Sequence, residues 1–368
     1  AEPGPDLEAI STLTQRLTSL PFLRANHVEL LIDGADTYDN MIRAIESAEC
    51  YVLVQFYIVR DDAIGRRLRD ALVSRARNGV RIYFLYDEIG CITLPDDYLD
   101  VMREQGIEVS GFKTTRGRSN RFQINFRNHR KIVVIDDEIA YTGSFNLVDP
   151  RFFKQEAGVG QWVDAMARIE GPAVLSLNAV FRWDWEVETG RDLKALPDPA
   201  KMAIRANQDP AANVQVVPSG PGIMGDSVHQ LLLMAIYAAR KELSMTTPYF
   251  VPDEAITAAL LAAARRGVSV TLILPAKNDS RLVHYTCRSH FDELLDAGVR
   301  IFGFNGGLLH TKSAVVDRQI SLFGTVNLDV RSFWLDFEVT LCVYDPPFAE
   351  RLLALQQKYI EDSVAVDP

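Results

Sequence analysis

Two short stretches carry residue types suited to covalent chemistry on an anionic group. The first reads His129-x-Lys131 and, after Ile-Val-Val-Ile, Asp136. The second reads His310-x-Lys312 and, after Ser-Ala-Val-Val, Asp317. An imidazole can attack an electrophile or carry a proton, and an ammonium beside it can hold negative charge. A single His-x-Lys means little, because a histidine at a strand start is commonly a hydrogen-bonded edge residue. Here the pattern recurs with its flanks: Gly143-Ser144-x-Asn146 follows the first copy and Gly324-Thr325-x-Asn327 the second, at matching offsets. Chance repetition of all these positions is very improbable.

The elements that position these residues also repeat. Residues 37–58 give a helix and then an apolar strand, 66–79 a helix, and 80–86 a strand, before Gly106-Ile-Glu-Val109 opens another. The second half runs helix and strand over 229–250, helix over 255–267 and strand over 268–274, before Gly298-Val-Arg-Ile301. Helices alternating with apolar strands imply α/β layering, and self-similarity at this scale implies duplication rather than a short solenoid. The Pro- and charge-rich stretch 190–212 marks the seam, giving expected halves 1–195 and 196–368. Within each strand i and i+2 share a face, so each His and Lys are expected side by side. Asp136 and Asp317 sit at odd offset from their histidines, and are expected to close the turn and hold Lys or backbone from behind. Asp164 and Glu338 occupy matching places in later strands. A carboxylate on Nδ1 fixes a histidine's tautomer, and the expected pairs are Asp164 with His129 and Glu338 with His310.

Composition narrows the class. The chain has 368 residues, 48% of them hydrophobic and 24% charged, which suits two domains or one duplicated unit. Its four cysteines are scattered, with no Cys-x-x-Cys, so no zinc site or disulfide framework is expected. A net charge of −10 argues against a protein that coats nucleic acid. Residues 112–131 nevertheless hold Lys113, Arg116, Arg118, Arg121, Arg127, Arg130 and Lys131 with no acid, an anion-binding mouth just ahead of His129. No apolar run reaches the roughly 18–20 residues of a membrane helix, and the acidic start AEPGPDLE does not read as a signal peptide. His27, His229, His284 and His290 lack the lysine partner and are expected to be structural.

The paired motifs resemble the His-x-Lys-x4-Asp signatures of the phospholipase D superfamily. Longer stretches, among them 141–172, MTTPYFVPDE (245–254) and GTVNLDVRSFWLDFEVTL (324–341), are similar to bacterial cardiolipin synthases. That resemblance implies a fold: α/β, two α/β/α sandwich halves related by a pseudo-two-fold axis with the active site between them. It also implies an activity, transfer of a phosphatidyl group between two phosphatidylglycerol molecules, giving cardiolipin and glycerol through a phosphohistidine. His129 would be the nucleophile and His310 the general acid and base, an assignment that residue types alone leave open. Lys131, Lys312, Asn146 and Asn327 would hold the nonbridging oxygens in place of a metal, so neither metal nor other cofactor is expected. Asp136, Asp317, Asp164 and Glu338 complete the catalytic set. Arg127, Arg130, Ser144, Thr325, Tyr249 and Phe250 are the expected substrate-binding residues. Phosphatidylglycerol, cardiolipin and an anionic membrane surface are the expected partners, at a bacterial inner membrane, with oligomeric state open. Hydrolysis to phosphatidic acid would use the same residues. A superfamily nuclease fits less well, because the net charge of −10 is acidic.

Overall fold

A computed structural model describes residues 5–32, 34–112, 126–193, 196, 212–221 and 226–367. Lys113, Arg116, Arg118 and Arg121 of the basic run, and most of the expected seam, lie outside the described residues.

The chain divides into two compact units, neither contiguous in sequence. One comprises Leu23–Asp149 and Ala165–Ala211 and carries the first motif. The other comprises Ala1–Phe22, Pro150–Asp164 and Ala212–Pro368 and carries the second. Relative to the expected halves, residues 5–22 and 150–164 pack with the second-motif unit.

In the first-motif unit the strand order is Leu23–Leu31, Met166–Glu170, Ile139–Gly143, Ile132–Ile135, Tyr51–Phe56, Arg81–Asp87, Glu108–Phe112. The last three are mutually parallel and the remaining neighbours antiparallel. The second-motif unit repeats this order: Ala212–Ser219, Asp336–Tyr344, Ile320–Gly324, Lys312–Val316, Glu242–Thr246, Ser269–Pro275, Arg300–Phe304. It adds Ser363–Ala365, antiparallel to Arg300–Phe304. The same directions recur in its pairs. The duplication legible in the motifs is therefore a duplication of whole sheets.

Helices cover the sheets as the periodicity requires. Gly34–Glu46 and Ala63–Arg77 bury Met41, Ile45, Leu68 and Leu72 against Val52, Val54, Phe84 and Val133. Ser227–Ala238 and Glu254–Arg265 bury Leu231, Ile236, Ile256 and Leu260 against Leu243, Met245, Val270 and Leu272. Asp62 and Asp253 cap the second helix of each pair, accepting from Gly65 N–H at 2.8 Å and Ile256 N–H at 2.9 Å. Among the described residues, no helix is long and apolar enough to cross a membrane.

Each motif strand turns back through a tight hairpin. Glu138 N–H donates to the Ile135 carbonyl at 2.9 Å, and Gln319 N–H to the Val316 carbonyl at 3.0 Å. The central residues have positive φ in both: Asp136 51° and Asp137 55°, then Asp317 49° and Arg318 58°. That is the dihedral signature of a type I′ turn, whose twist matches the flanking strands. At the other end of the return strand stand Gly143 and Gly324. A Cβ on Gly143 would lie 2.6 Å from the Ala165 carbonyl oxygen, and one on Gly324 2.2 Å from that of Val339. The invariant spacing of Gly to His thus reflects close approach of a neighbouring backbone.

Candidate active site

In both units the catalytic-type histidine precedes the motif strand rather than lying within it. His129 stands between Arg127–Asn128 and Ile132–Ile135, and His310 between Leu308–Leu309 and Lys312–Val316. Each lysine folds back on its own histidine: Lys131 Nζ donates to the His129 carbonyl at 2.7 Å, and Lys312 Nζ to the His310 carbonyl at 2.5 Å. Both lysines are buried. A buried ammonium keeps its charge only with partners at hand, and these carbonyl contacts are such partners. An aromatic ring packs on each imidazole, Tyr57 on His129 with centroids 4.2 Å apart and Trp162 on His310 at 4.5 Å. Neither ring stood out in the sequence, since a Tyr or Trp at a strand end looks like ordinary core.

The acid on His310 is Asp164, not Glu338. His310 Nδ1 and Asp164 Oδ1 are 2.6 Å apart, with both side chains buried. A carboxylate only accepts, so Nδ1 carries the proton. This corrects the expectation that Asp164 serves His129 and Glu338 serves His310. The physical reason lies in the backbone. Trp162–Val163 pairs parallel with Leu308–Leu309, and His310 N–H donates to the Val163 carbonyl at 2.8 Å. The segment Pro150–Asp164 therefore leaves the first half of the sequence and delivers its acid to the second motif. Glu338 is fully buried in Asp336–Tyr344, facing Ser219 in the register.

Asp136 and Asp317 act from behind, as their odd offset implied, and are not placed for chemistry. The Asp136 carboxylate accepts from the N–H groups of Glu49, Cys50 and Tyr51 at 2.7, 2.9 and 2.7 Å. Asp317 accepts from Arg240, Lys241 and Glu242 at 2.8, 2.7 and 2.9 Å. Each ties the far end of the motif strand to the start of its neighbour, Tyr51–Phe56 or Glu242–Thr246. They are positioning residues, and the catalytic grouping is corrected accordingly.

Four expected substrate-binding residues prove structural. The Ser144 hydroxyl accepts from Ala165 N–H at 3.1 Å, and the Thr325 hydroxyl from Val339 N–H at 2.9 Å, with both residues fully buried. Phe250 is fully buried in the core. Arg130, also fully buried, pairs with Asp184 of the helix Ala173–Thr189. The basic run misled here because charge alone does not say which way a side chain points. Of the other two, Tyr249 donates its hydroxyl to Asp279 at 3.0 Å, and half-buried Arg127 donates to the Phe126 carbonyl at 2.7 Å. Asn146 Oδ1 accepts from Ile58 N–H at 3.3 Å, and Asn327 Nδ2 donates to Ser332 Oγ at 3.2 Å.

The Arg130–Asp184 pair anchors a buried network beneath His129. Asp184 also accepts from Gln55 Nε2 at 2.6 Å and Asn128 Nδ2 at 3.0 Å, while Asn128 N–H donates to Asp87 at 2.8 Å. Burial raises the Asp87 carboxyl above its ordinary range, opposed by N–H bonds from Asn128, Gly90 and Ile89. Removing one partner of a buried ion pair typically costs ~3–5 kcal/mol. Asp184→Ala is therefore expected to lower the urea midpoint of its unfolding transition strongly; an unchanged midpoint would contradict this.

Asp329 adds a pH-dependent element. Its carboxylate caps the helix Val330–Trp334, accepting from Ser332 N–H at 2.8 Å. Its pKa is nevertheless pushed up to about 6, first by burial, with Glu338 adding and the Ser332 bond opposing. A carboxyl raised in the folded state contributes stability below its unfolded value near 4, and loses it as pH rises through about 6. Asp329→Asn keeps a capping oxygen and removes the charge. It is expected to raise the melting temperature at pH 8, by on the order of 1–2 kcal/mol of stability, and to do little near pH 4. A gain no larger at pH 8 than at pH 4 would refute it.

Comparison with known proteins follows this geometry. A family model described as cardiolipin synthase, PLD-like domain, matches residues 41–185 and 232–359, one segment around each motif. Cardiolipin synthase A of Edwardsiella ictaluri (strain 93-146) is 44% identical over 358 residues, 97% of this chain and 74% of that protein. Cardiolipin synthase A of Pectobacterium carotovorum subsp. carotovorum (strain PC1) is 44% identical, covering 96% and 73%. Among solved structures, the phosphatidylserine synthase of Haemophilus influenzae Rd KW20 is similar in fold, with a TM-score of 0.72 at 16% identity, covering 97% of this chain and 92% of that one. With both motifs intact and a family model and relatives matching across both, the chain belongs to the cardiolipin synthase branch of the phospholipase D-like proteins.

Proposed function

We propose that the chain transfers a phosphatidyl group from one phosphatidylglycerol to a second, releasing glycerol and forming cardiolipin. The observation that carries this is the buried His310–Asp164 pair within a duplicated His-x-Lys motif, which supplies a proton donor of fixed tautomer. In-line displacement at phosphorus needs a nucleophile on one side and a proton donor for the leaving oxygen on the other. A duplicated motif provides one histidine for each task. His129 Nε2 attacks phosphorus, the P–O bond to glycerol breaks, and His310, starting as an imidazolium whose Nδ1–H is held by Asp164, gives its Nε2 proton to the departing oxygen. The acceptor hydroxyl then attacks phosphorus, its proton passes to His310, and the P–N bond to His129 breaks. Two inversions give retention at phosphorus. Lys131 and Lys312 stabilise the charge on the nonbridging oxygens, each such preorganised donor contributing a few kcal/mol. Asn146 and Asn327, at matching offsets from the two motifs, are assigned the same role.

Because the lysines supply the positive charge, turnover is expected to survive chelation: activity in EDTA should stay within about twofold, and total loss would overturn this part. The substrate places the enzyme at a bacterial inner membrane, where an anionic surface attracts exposed lysines and arginines. Mass analysis of lipids after incubation with phosphatidylglycerol vesicles tests the whole reading. Cardiolipin and glycerol in equal amounts are expected. Phosphatidic acid as main product would assign hydrolysis instead, and cleavage of single-stranded DNA with no lipid product would assign a nuclease.

A further inference from the structure

The helix Arg281–Arg288 carries a face that the fold does not use. Leu282 and Tyr285, three residues apart and therefore on one side, are 78% and 72% exposed. The opposite side is docked: Cys287 packs against the core of the second-motif unit, and burial pushes its thiol up to about 12. The stretch Ser280–Ser289 contains Arg281, His284 and Arg288 and no acid, in a chain whose net charge is −10. Arg288 is exposed, one turn beyond Tyr285 on the same stripe. The acid just ahead, Asp279, is engaged by Lys154 at 3.2 Å and by the Tyr249 hydroxyl. Apolar and aromatic tips with an exposed arginine beside them suit the boundary between headgroups and acyl chains of an anionic bilayer. The absence of acids within Ser280–Ser289 itself argues against a basic protein partner at this helix.

Placement links this face to the chemistry. The helix follows Ser269–Pro275, and His310 follows Arg300–Phe304, its parallel neighbour. Both therefore lie beyond the carboxyl ends of parallel strands, on one edge of the sheet, where α/β folds bind ligands. We propose that the Arg281–Arg288 helix is an interfacial anchor, inserting Leu282 and Tyr285 into an anionic bilayer while Arg288 meets its headgroups. This rests on the lipid-transferring reading and names the surface through which substrate is met.

The test is sedimentation of the protein with vesicles of phosphatidylglycerol or phosphatidylcholine, read without turnover. The wild type is expected to partition onto phosphatidylglycerol vesicles in preference to phosphatidylcholine. Leu282→Ser/Tyr285→Ser should lower that partitioning at least tenfold, while Ile92→Ser, an equally exposed apolar position in the other unit, stays within twofold. The double variant should keep wild-type turnover on dispersed short-chain phosphatidylglycerol. Leu282→Trp provides a second reading, a blue shift of its fluorescence on adding phosphatidylglycerol vesicles. No partitioning by the wild type, unchanged partitioning in the double variant, an equal loss of turnover on dispersed substrate, or no blue shift would each overturn the anchor. If vesicles are bound through this face but no cardiolipin forms, the transfer reading fails and the anchor stands.

Discussion

His129→Ala and His310→Ala are each expected to reduce cardiolipin formation from phosphatidylglycerol by on the order of 10⁴-fold or more, since each removes a member of a unit that acts together. They should separate on a substrate whose leaving group needs no proton. With a p-nitrophenyl ester of phosphatidic acid, His310→Ala retains the attacking imidazole of His129 and should release about one equivalent of p-nitrophenolate. It then stalls, because no base activates the acceptor hydroxyl. His129→Ala should release none. Equal activity of both variants on this ester would show that neither histidine is the nucleophile, and a burst confined to His129→Ala would exchange their roles.

The second large effect concerns Asp164. Asp164→Asn keeps the shape and burial of the side chain but no longer holds the protonated Nδ1 of His310 as a carboxylate does. Loss of the equivalent orienting charge in histidine-based hydrolases costs about 10⁴-fold, and a fall of about 10²–10⁴-fold in cardiolipin formation is expected here. As a positioning residue it should copy the His310 phenotype: an undiminished burst with the p-nitrophenyl ester, followed by slow turnover. A phenotype copying His129→Ala would instead connect Asp164 to the first motif. The distinction matters because primary structure favours that pairing, and only the Leu308–Leu309 bridge to Trp162–Val163 reverses it.

The fold was largely legible because its signal is repeated. Apolar strands bounded by Arg-Gly and Gly-Val, and two copies of one motif with the same glycine offset, fix the order of layers. Strand ends fell within a few residues, as with the expected 80–86 against Arg81–Asp87. The backbone-holding role of Asp136 and Asp317 was legible too, since a period of two puts them opposite their histidines. Partnerships made by chain crossings were not. Pro150–Asp164 lies in the first half of the sequence yet belongs to the second-motif unit, and no local pattern records that. Nor could side-chain direction be read from charge. Arg130 sits between His129 and Lys131 in the most basic stretch of the chain, yet it turns inward to Asp184, where it fixes the backbone that carries both. Ser144 and Thr325 resemble phosphate ligands by type, but the same spacing that brings Gly143 and Gly324 against a neighbouring strand spends their hydroxyls on its backbone.

Covalent transfer through His129 is tested most directly by peptide mass analysis of His310→Ala after reaction with the p-nitrophenyl phosphatidyl ester. A phosphatidyl group should appear on the peptide containing His129, labile to acid as a phosphoramidate is, and it should be absent from His129→Ala treated alike. An adduct on the peptide containing His310 in His129→Ala, or cardiolipin formed by a protein that never carries the group, would contradict it.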